Sequence, residues 1–79
     1  MRRVLIFGVT GQDGSYMAEL LINKGYKVFG FYRKSATSNT KNIDHLIFNK
    51  KIFNKKFTLL GGDLLDQVSI FNAIKISNP

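Results

Sequence analysis

The chain has 79 residues, 44% hydrophobic and 22% charged, with a net charge of +7 and no cysteine. That length allows one small domain near the margin of what a single core stabilises, and the missing cysteines exclude a disulfide framework or a thiolate metal site. No apolar run approaches the roughly 18 residues that span a bilayer, and Val4 to Phe7 behind Arg2-Arg3 is too short for a signal peptide, so the expected location is cytoplasmic.

Arg2 to Phe7 opens the chain with two basic residues and a β-branched, aromatic run. It reads as an interior strand of a parallel sheet, buried on both faces. Gly8-Val9-Thr10-Gly11-Gln12-Asp13-Gly14 follows, with glycines at a spacing of three between a strand and a helix. A phosphate-binding turn requires that pattern: glycine lets the backbone turn tightly and approach a ligand, and the helix start offers unpaired N–H groups and a positive dipole end. From Ser15 to Lys24 the period becomes helical, with Met17, Ala18, Leu20 and Leu21 as the apolar face, and Gly25 supplies the stop.

Lys27 to Tyr32 reads as a second strand, which completes a βαβ unit with a right-handed crossover. Arg33 to Lys41 is a Ser-, Thr- and Asn-rich loop, and Ile43, Leu46 and Ile47 are spaced for one or two helical turns. Phe57-Thr58-Leu59-Leu60 is a third strand running into Gly61-Gly62-Asp63. A last helix spans about Gln67 to Ile76, with Val68, Phe71 and Ile74 on one face. The order β-α-β-(short α)-β-α predicts an α/β fold: a Rossmann-like, doubly wound parallel sheet with helices on both faces. Only its first three strands and their helices are accounted for. Residues 1–79 are therefore expected to be the N-terminal part of a Rossmann domain, an incomplete domain from a longer enzyme whose substrate domain is absent from this chain.

Several side chains could serve a dinucleotide. Where the second strand ends, an acid selects NAD and an arginine accommodates the 2′-phosphate of NADP. Here Arg33 stands at that point, followed by Lys34, with no acid between Glu19 and Asp44, so the expected cofactor is NADP. Asp63 follows the third strand at the sheet edge where such folds bind ligands; its carboxylate could meet the adenine amino group, with Leu64 packing on the ring. Asp66 is assigned instead as the cap of the last helix. Asp13 beside a pyrophosphate would be repelled, so it is read as bonding backbone N–H groups of the turn or a ribose hydroxyl. Thr10 could donate to a phosphate or brace the turn. His45, the only histidine, has no second His or Cys with which to share a metal, and a structural or interface role is expected.

The basic cluster Lys50, Lys51, Lys55 and Lys56 reads as a solvated loop, with a contact to an anionic partner as the alternative. Neither nucleic acid nor a membrane is the expected partner, because a basic nucleic-acid binder leaves the glycine turn unexplained.

The spacing as a whole resembles a known family. Gly-Val-Thr-Gly-Gln-Asp-Gly-Ser-Tyr at 8–16, Lys-Gly-Tyr at 24–26, Arg33 with Ser35, Asn39-Thr40, Ile43-Asp44-His45-Leu46 and Gly62-Asp63-Leu64 together resemble the start of the GDP-mannose 4,6-dehydratases, within the extended short-chain dehydrogenases/reductases. The resemblance covers essentially the whole chain. It implies a lyase of GDP-fucose biosynthesis that holds NADP through one turnover, oxidising C4 of the GDP-mannose hexose, eliminating water across C5–C6 and reducing C6 to give GDP-4-keto-6-deoxymannose. By position, the resemblance places Gly8, Val9, Thr10, Gly11, Gln12 and Asp13 along the pyrophosphate together with Gly14, Arg33 at the 2′-phosphate, and Asp63 and Leu64 at the adenine. It also implies a homo-oligomer with subunit contacts through the loop Arg33 to Thr40.

Phe7 in place of a small Thr, Lys34 in place of a second arginine and Gly62 in place of an aromatic depart from that pattern, and Phe7 is expected to crowd the turn. The catalytic Tyr-x-x-x-Lys pair of the family is missing: Tyr16, Tyr26 and Tyr32 are followed four residues on by Leu20, Gly30 and Ala36. No catalytic residue and no metal site is assigned, and the segment alone is expected to be inactive. Two other readings stay open: a non-catalytic NAD(P)-binding module, and a dehydratase or epimerase of another sugar nucleotide.

Overall fold

The computed structural model describes residues 2–33, 40–63 and 65–79. Strands β1 (Arg3–Phe7), β2 (Lys27–Arg33) and β3 (Phe57–Gly62) form one parallel sheet in the order β1-β2-β3. Helix α1 (Gln12–Asn23) joins the first two strands. A 3-10 turn, Lys41–Ile43, runs directly into the single-turn α2 (Asp44–Ile47) before β3, and α3 (Gln67–Ser77) follows it. The doubly wound α/β arrangement expected from the element order is the one observed. No helix among the described residues is long and apolar enough to cross a membrane.

Alternation along β2 organises the core, because successive side chains of a strand point to opposite faces. Val28 joins Val9, Ala18, Ile22, Ile43, Leu46 and Phe57 in one buried cluster beneath α1 and α2. Phe29 and Phe31 point to the other face, where the Phe31 ring lies 5.3 Å from that of Phe7 and close to Ser69 of α3. Helices therefore cover both faces of β2, whose residues from Val28 to Phe31 are buried.

Three expectations about burial are corrected. The first strand is half-buried through Val4, Leu5 and Ile6 and exposed at both ends, not buried on both faces. It lies at the edge of the three-stranded sheet, and among the described residues only β2 has neighbouring strands on both sides. Helix α1 begins at Gln12, three residues before the expected start at Ser15. It buries Ser15, Ala18 and Ile22, while Met17 (46%) and Leu20 (40%) stay exposed. Ser15 and Ala18 are small, so the helix axis comes close to the sheet on their side and the longer side chains turn outward.

The same physics rotates α3. Ala73 and Ser77 are buried, whereas Val68 (64%), Phe71 (67%) and Ile74, the expected apolar face, are exposed. Helix α1 ends as the sequence indicates, with Lys24 as C-cap and Gly25 at φ +89°. That left-handed backbone is available to glycine without a Cβ penalty.

Candidate functional site

The turn after β1 is built from backbone. Gly8 N donates to the Phe31 carbonyl at 2.9 Å and Val9 N donates to the same oxygen at 3.2 Å, which fastens the turn to β2. Gly8 has φ +73°, and a Cβ there would meet open space, so conformation alone requires glycine. The Val9 side chain is fully buried and packs directly on Gly30, where an added Cβ would lie 2.6 Å from Val9 Cγ1. Val9 therefore presents no side chain to a ligand and serves as support beneath the turn. Gly30 is thus a part of the site's support that the sequence reading missed; its glycine inside an apolar strand was the available signal.

Gly11 N donates to the Gly8 carbonyl at 3.0 Å, and Gly11 is the extended N-cap of α1. Gly14, expected in the turn, lies inside the first helical turn. A Cβ at Gly14 would stand 2.3 Å from the Gly8 carbonyl oxygen and 3.0 Å from Val9 Cα, so its glycine lets the helix start press against the turn. Ser15 N makes the bond to the Gly11 carbonyl. The N–H groups at Gln12, Asp13 and Gly14 precede the first i to i−4 donor of the helix, Ser15 N, and point along its axis, as anion recognition requires. The Asp13 carboxylate sits in that first turn, on the favourable side of the helix dipole.

Thr10 is braced through its main chain: Asn42 Nδ2, on the 3-10 turn, donates to the Thr10 carbonyl at 3.1 Å. Asn42 was not singled out in the sequence, where an Asn in a polar segment carries no signal of a contact 32 residues away.

Arg33 is the last residue of β2, exposed and opposite Gly62 in the β2–β3 ladder. Asp63 follows directly, exposed, with Oδ1 accepting from Leu65 N at 2.9 Å. Asp66 caps α3 as expected, its Oδ1 accepting from Val68 N at 3.0 Å and its Oδ2 from the Ser69 hydroxyl at 3.2 Å. The fold therefore brings the glycine turn, Arg33 and Asp63 to the carboxyl ends of three adjacent parallel strands. Leu64, Lys34, Ser35, Asn39 and most of the loop Arg33 to Thr40 lie outside the described residues.

Two of the sequence departures have local explanations. Phe7 does not crowd the turn, because its ring points to the α3 face and packs on Phe31. Gly62 is small because a Cβ there would lie 2.8 Å from Phe31 Cζ and 2.9 Å from Ser69 Cβ. Phe31 already fills the space an aromatic at position 62 would need. His45 Nε2 stands 3.4 Å from Glu19 Oε2, between α2 and α1 at a half-exposed surface. Lys50, Lys51, Lys55 and Lys56 are exposed on the connection into the start of β3, at the sheet end opposite the glycine turn.

Comparison with known proteins agrees with this geometry. The family described as GDP-mannose 4,6 dehydratase matches residues 5–79. The GDP-mannose 4,6-dehydratase of Yersinia enterocolitica is 44% identical over 79 residues, which is all of this chain and 21% of that protein. One from Vibrio cholerae is 41% identical over 78 residues, covering 99% of this chain and 21% of the relative. GDP-mannose 4,6 dehydratase 2 of Caenorhabditis elegans is 47% identical over 77 residues, covering 95% and 20% respectively. The chain spans about a fifth of the length of these curated relatives.

Proposed function

This chain belongs to the GDP-mannose 4,6-dehydratase family, and we propose that residues 1–79 form the N-terminal, cofactor-binding part of such an enzyme, with NADP as the cofactor and GDP-mannose as the substrate of the whole protein. The observation that carries the reading is the packing of Gly14 on Gly8, with the space a Cβ would need filled by the Gly8 carbonyl. A helix start held that close to a strand end presents its free N–H groups to a pyrophosphate.

Gly8 to Gly14 form the turn that holds the pyrophosphate through the main-chain amides of Gln12, Asp13 and Gly14, while those of Gly8, Val9 and Gly11 donate to the Phe31 and Gly8 carbonyls and fix the turn. Arg33, always charged and able to fork onto two oxygens, takes the 2′-phosphate. Asp63 uses one carboxylate oxygen to brace its own turn and offers the other to the adenine amino group, with Leu64 on the ring. NADP, when bound, supplies the oxidation at C4 and the later reduction at C6 of the hexose. None of the tyrosines here has a lysine four residues on, so proton transfer in the lyase reaction falls to residues outside 1–79. The loop Arg33 to Thr40 is the proposed contact between subunits.

Isothermal titration of the protein, as its gene encodes it, with NADP+ and NAD+ tests the reading. NADP+ should bind at least about tenfold tighter, and Arg33→Ala should remove the preference, since a charge-assisted hydrogen bond is worth about 1.5–3 kcal/mol. A preference for NAD+ would overturn the role of Arg33. Binding without turnover of GDP-mannose would leave a nucleotide-binding module instead.

A further inference from the structure

We propose that Asn42 is a positioning residue for the dinucleotide, holding the peptide that leads into α1 so that the first free amides of the helix face the pyrophosphate. The inference rests on the cofactor reading above.

The Thr10–Gly11 peptide is planar, so its C=O and N–H point in opposite directions and turn together. Its N–H end is fixed, because Gly11 N donates to the Gly8 carbonyl at 3.0 Å. Its C=O end is fixed by Asn42 Nδ2 at 3.1 Å. This one peptide sets the direction of Gly11, the N-cap, and through it the direction of the Gln12 and Asp13 N–H groups. Gly11 has no side chain with which to cap the helix, so the orientation has to be imposed by the backbone and by a donor from elsewhere.

Asn42 is well held for that purpose. Its neighbour Ile43 is fully buried in the cluster that contains Val9, and Leu46 sits there too. Ile43 N donates to the Thr40 carbonyl at 2.8 Å, and the Thr40 hydroxyl donates to Asp44 Oδ1 at 2.7 Å. The donor thus stands on a turn anchored in the core beneath the loop it braces. The same β2–β3 connection that leaves the sheet at Arg33 comes back to touch Thr10 at Asn42, joining the two halves of the proposed site.

The test compares the wild-type protein, as its gene encodes it, with Asn42→Ala and with Asn42→Leu, which keeps about the same size and removes the donor without adding a charge. Dissociation constants for NADP+ and NAD+ are measured well below the unfolding temperature, with hydrogen exchange at the Gly11 amide, which donates to the Gly8 carbonyl. A lost hydrogen bond of ordinary strength predicts binding weakened about three- to tenfold for both dinucleotides alike, with faster exchange at the Gly11 amide in both variants. Arg33→Ala, by contrast, should act on NADP+ alone. Unchanged constants in both variants, even with a lower unfolding temperature, would make Asn42 merely structural and overturn the inference while leaving the cofactor reading in place. Absence of binding by the wild-type protein would overturn both.

Discussion

Replacing Gly14 by alanine tests the central geometric claim about the turn. The added Cβ would lie 2.3 Å from the Gly8 carbonyl oxygen, a distance that must open beyond 3.0 Å, so the helix start and the turn must part by about 0.7 Å. Both sides of the contact are backbone, with the Gly8 carbonyl carbon and Val9 Cα at 3.0 Å, and no flexible side chain can absorb the shift. Overpacking of that kind costs about 1–3 kcal/mol. Alanine recovers up to about 1 kcal/mol through helix propensity, which leaves a net loss of about 0–2 kcal/mol when that recovery is complete.

The companion substitutions act for different reasons, and neither displaces the helix start. Gly8→Ala meets no atom but forces a left-handed conformation at φ +73°, a cost of about 1–2 kcal/mol with no displacement of the helix. Gly11→Ala places its Cβ 3.3 Å from the same oxygen in an extended backbone, and should cost about 1 kcal/mol or less. Chemical denaturation gives the stabilities, and titration with NADP+ gives the affinities. Gly14→Ala should weaken NADP+ by about tenfold or more, because a displaced helix start misaligns amides that bond to charged oxygens. Full stability and affinity in Gly14→Ala, or Gly11→Ala as the most damaging of the three, would refute the close-approach account.

Gly30→Ala should destabilise the protein by about 1–3 kcal/mol, because its Cβ would stand 2.6 Å from Val9 Cγ1. In the double variant with Val9→Ala the two losses should fall short of their sum by about 1 kcal/mol, measured by a double-mutant cycle in urea; additive losses would separate the two residues. Asp66→Ala removes the cap of α3 and should cost about 1 kcal/mol in the same assay, with dinucleotide affinity unchanged.

Much of this molecule could be read along the chain. The order and type of the elements follow from local patterns, and the handedness of the βαβ crossover follows from strand twist, whereas the place of β1 at the sheet edge was not read from the sequence. The glycine spacing marked the turn, and Arg33 and Asp63 fell where strands end. Asp66 was recognisable as a cap because capping is a local interaction.

The sequence by itself therefore determined which segments are strands and helices, that the sheet is parallel, and where the glycine turn lies between β1 and α1, since each depends on residues a few positions apart. Tertiary structure decided the rest. Ser15 with Ala18, and Ala73 with Ser77, face the sheet ahead of larger apolar neighbours because close approach of a helix favours small side chains. Gly30 and Gly62 are small because Val9 and Phe31 already occupy their space. The Asn42 bond to Thr10 joins residues 32 positions apart. Contacts of that kind exist only once the chain has folded back on itself, and no local pattern of hydrophobicity or propensity encodes them.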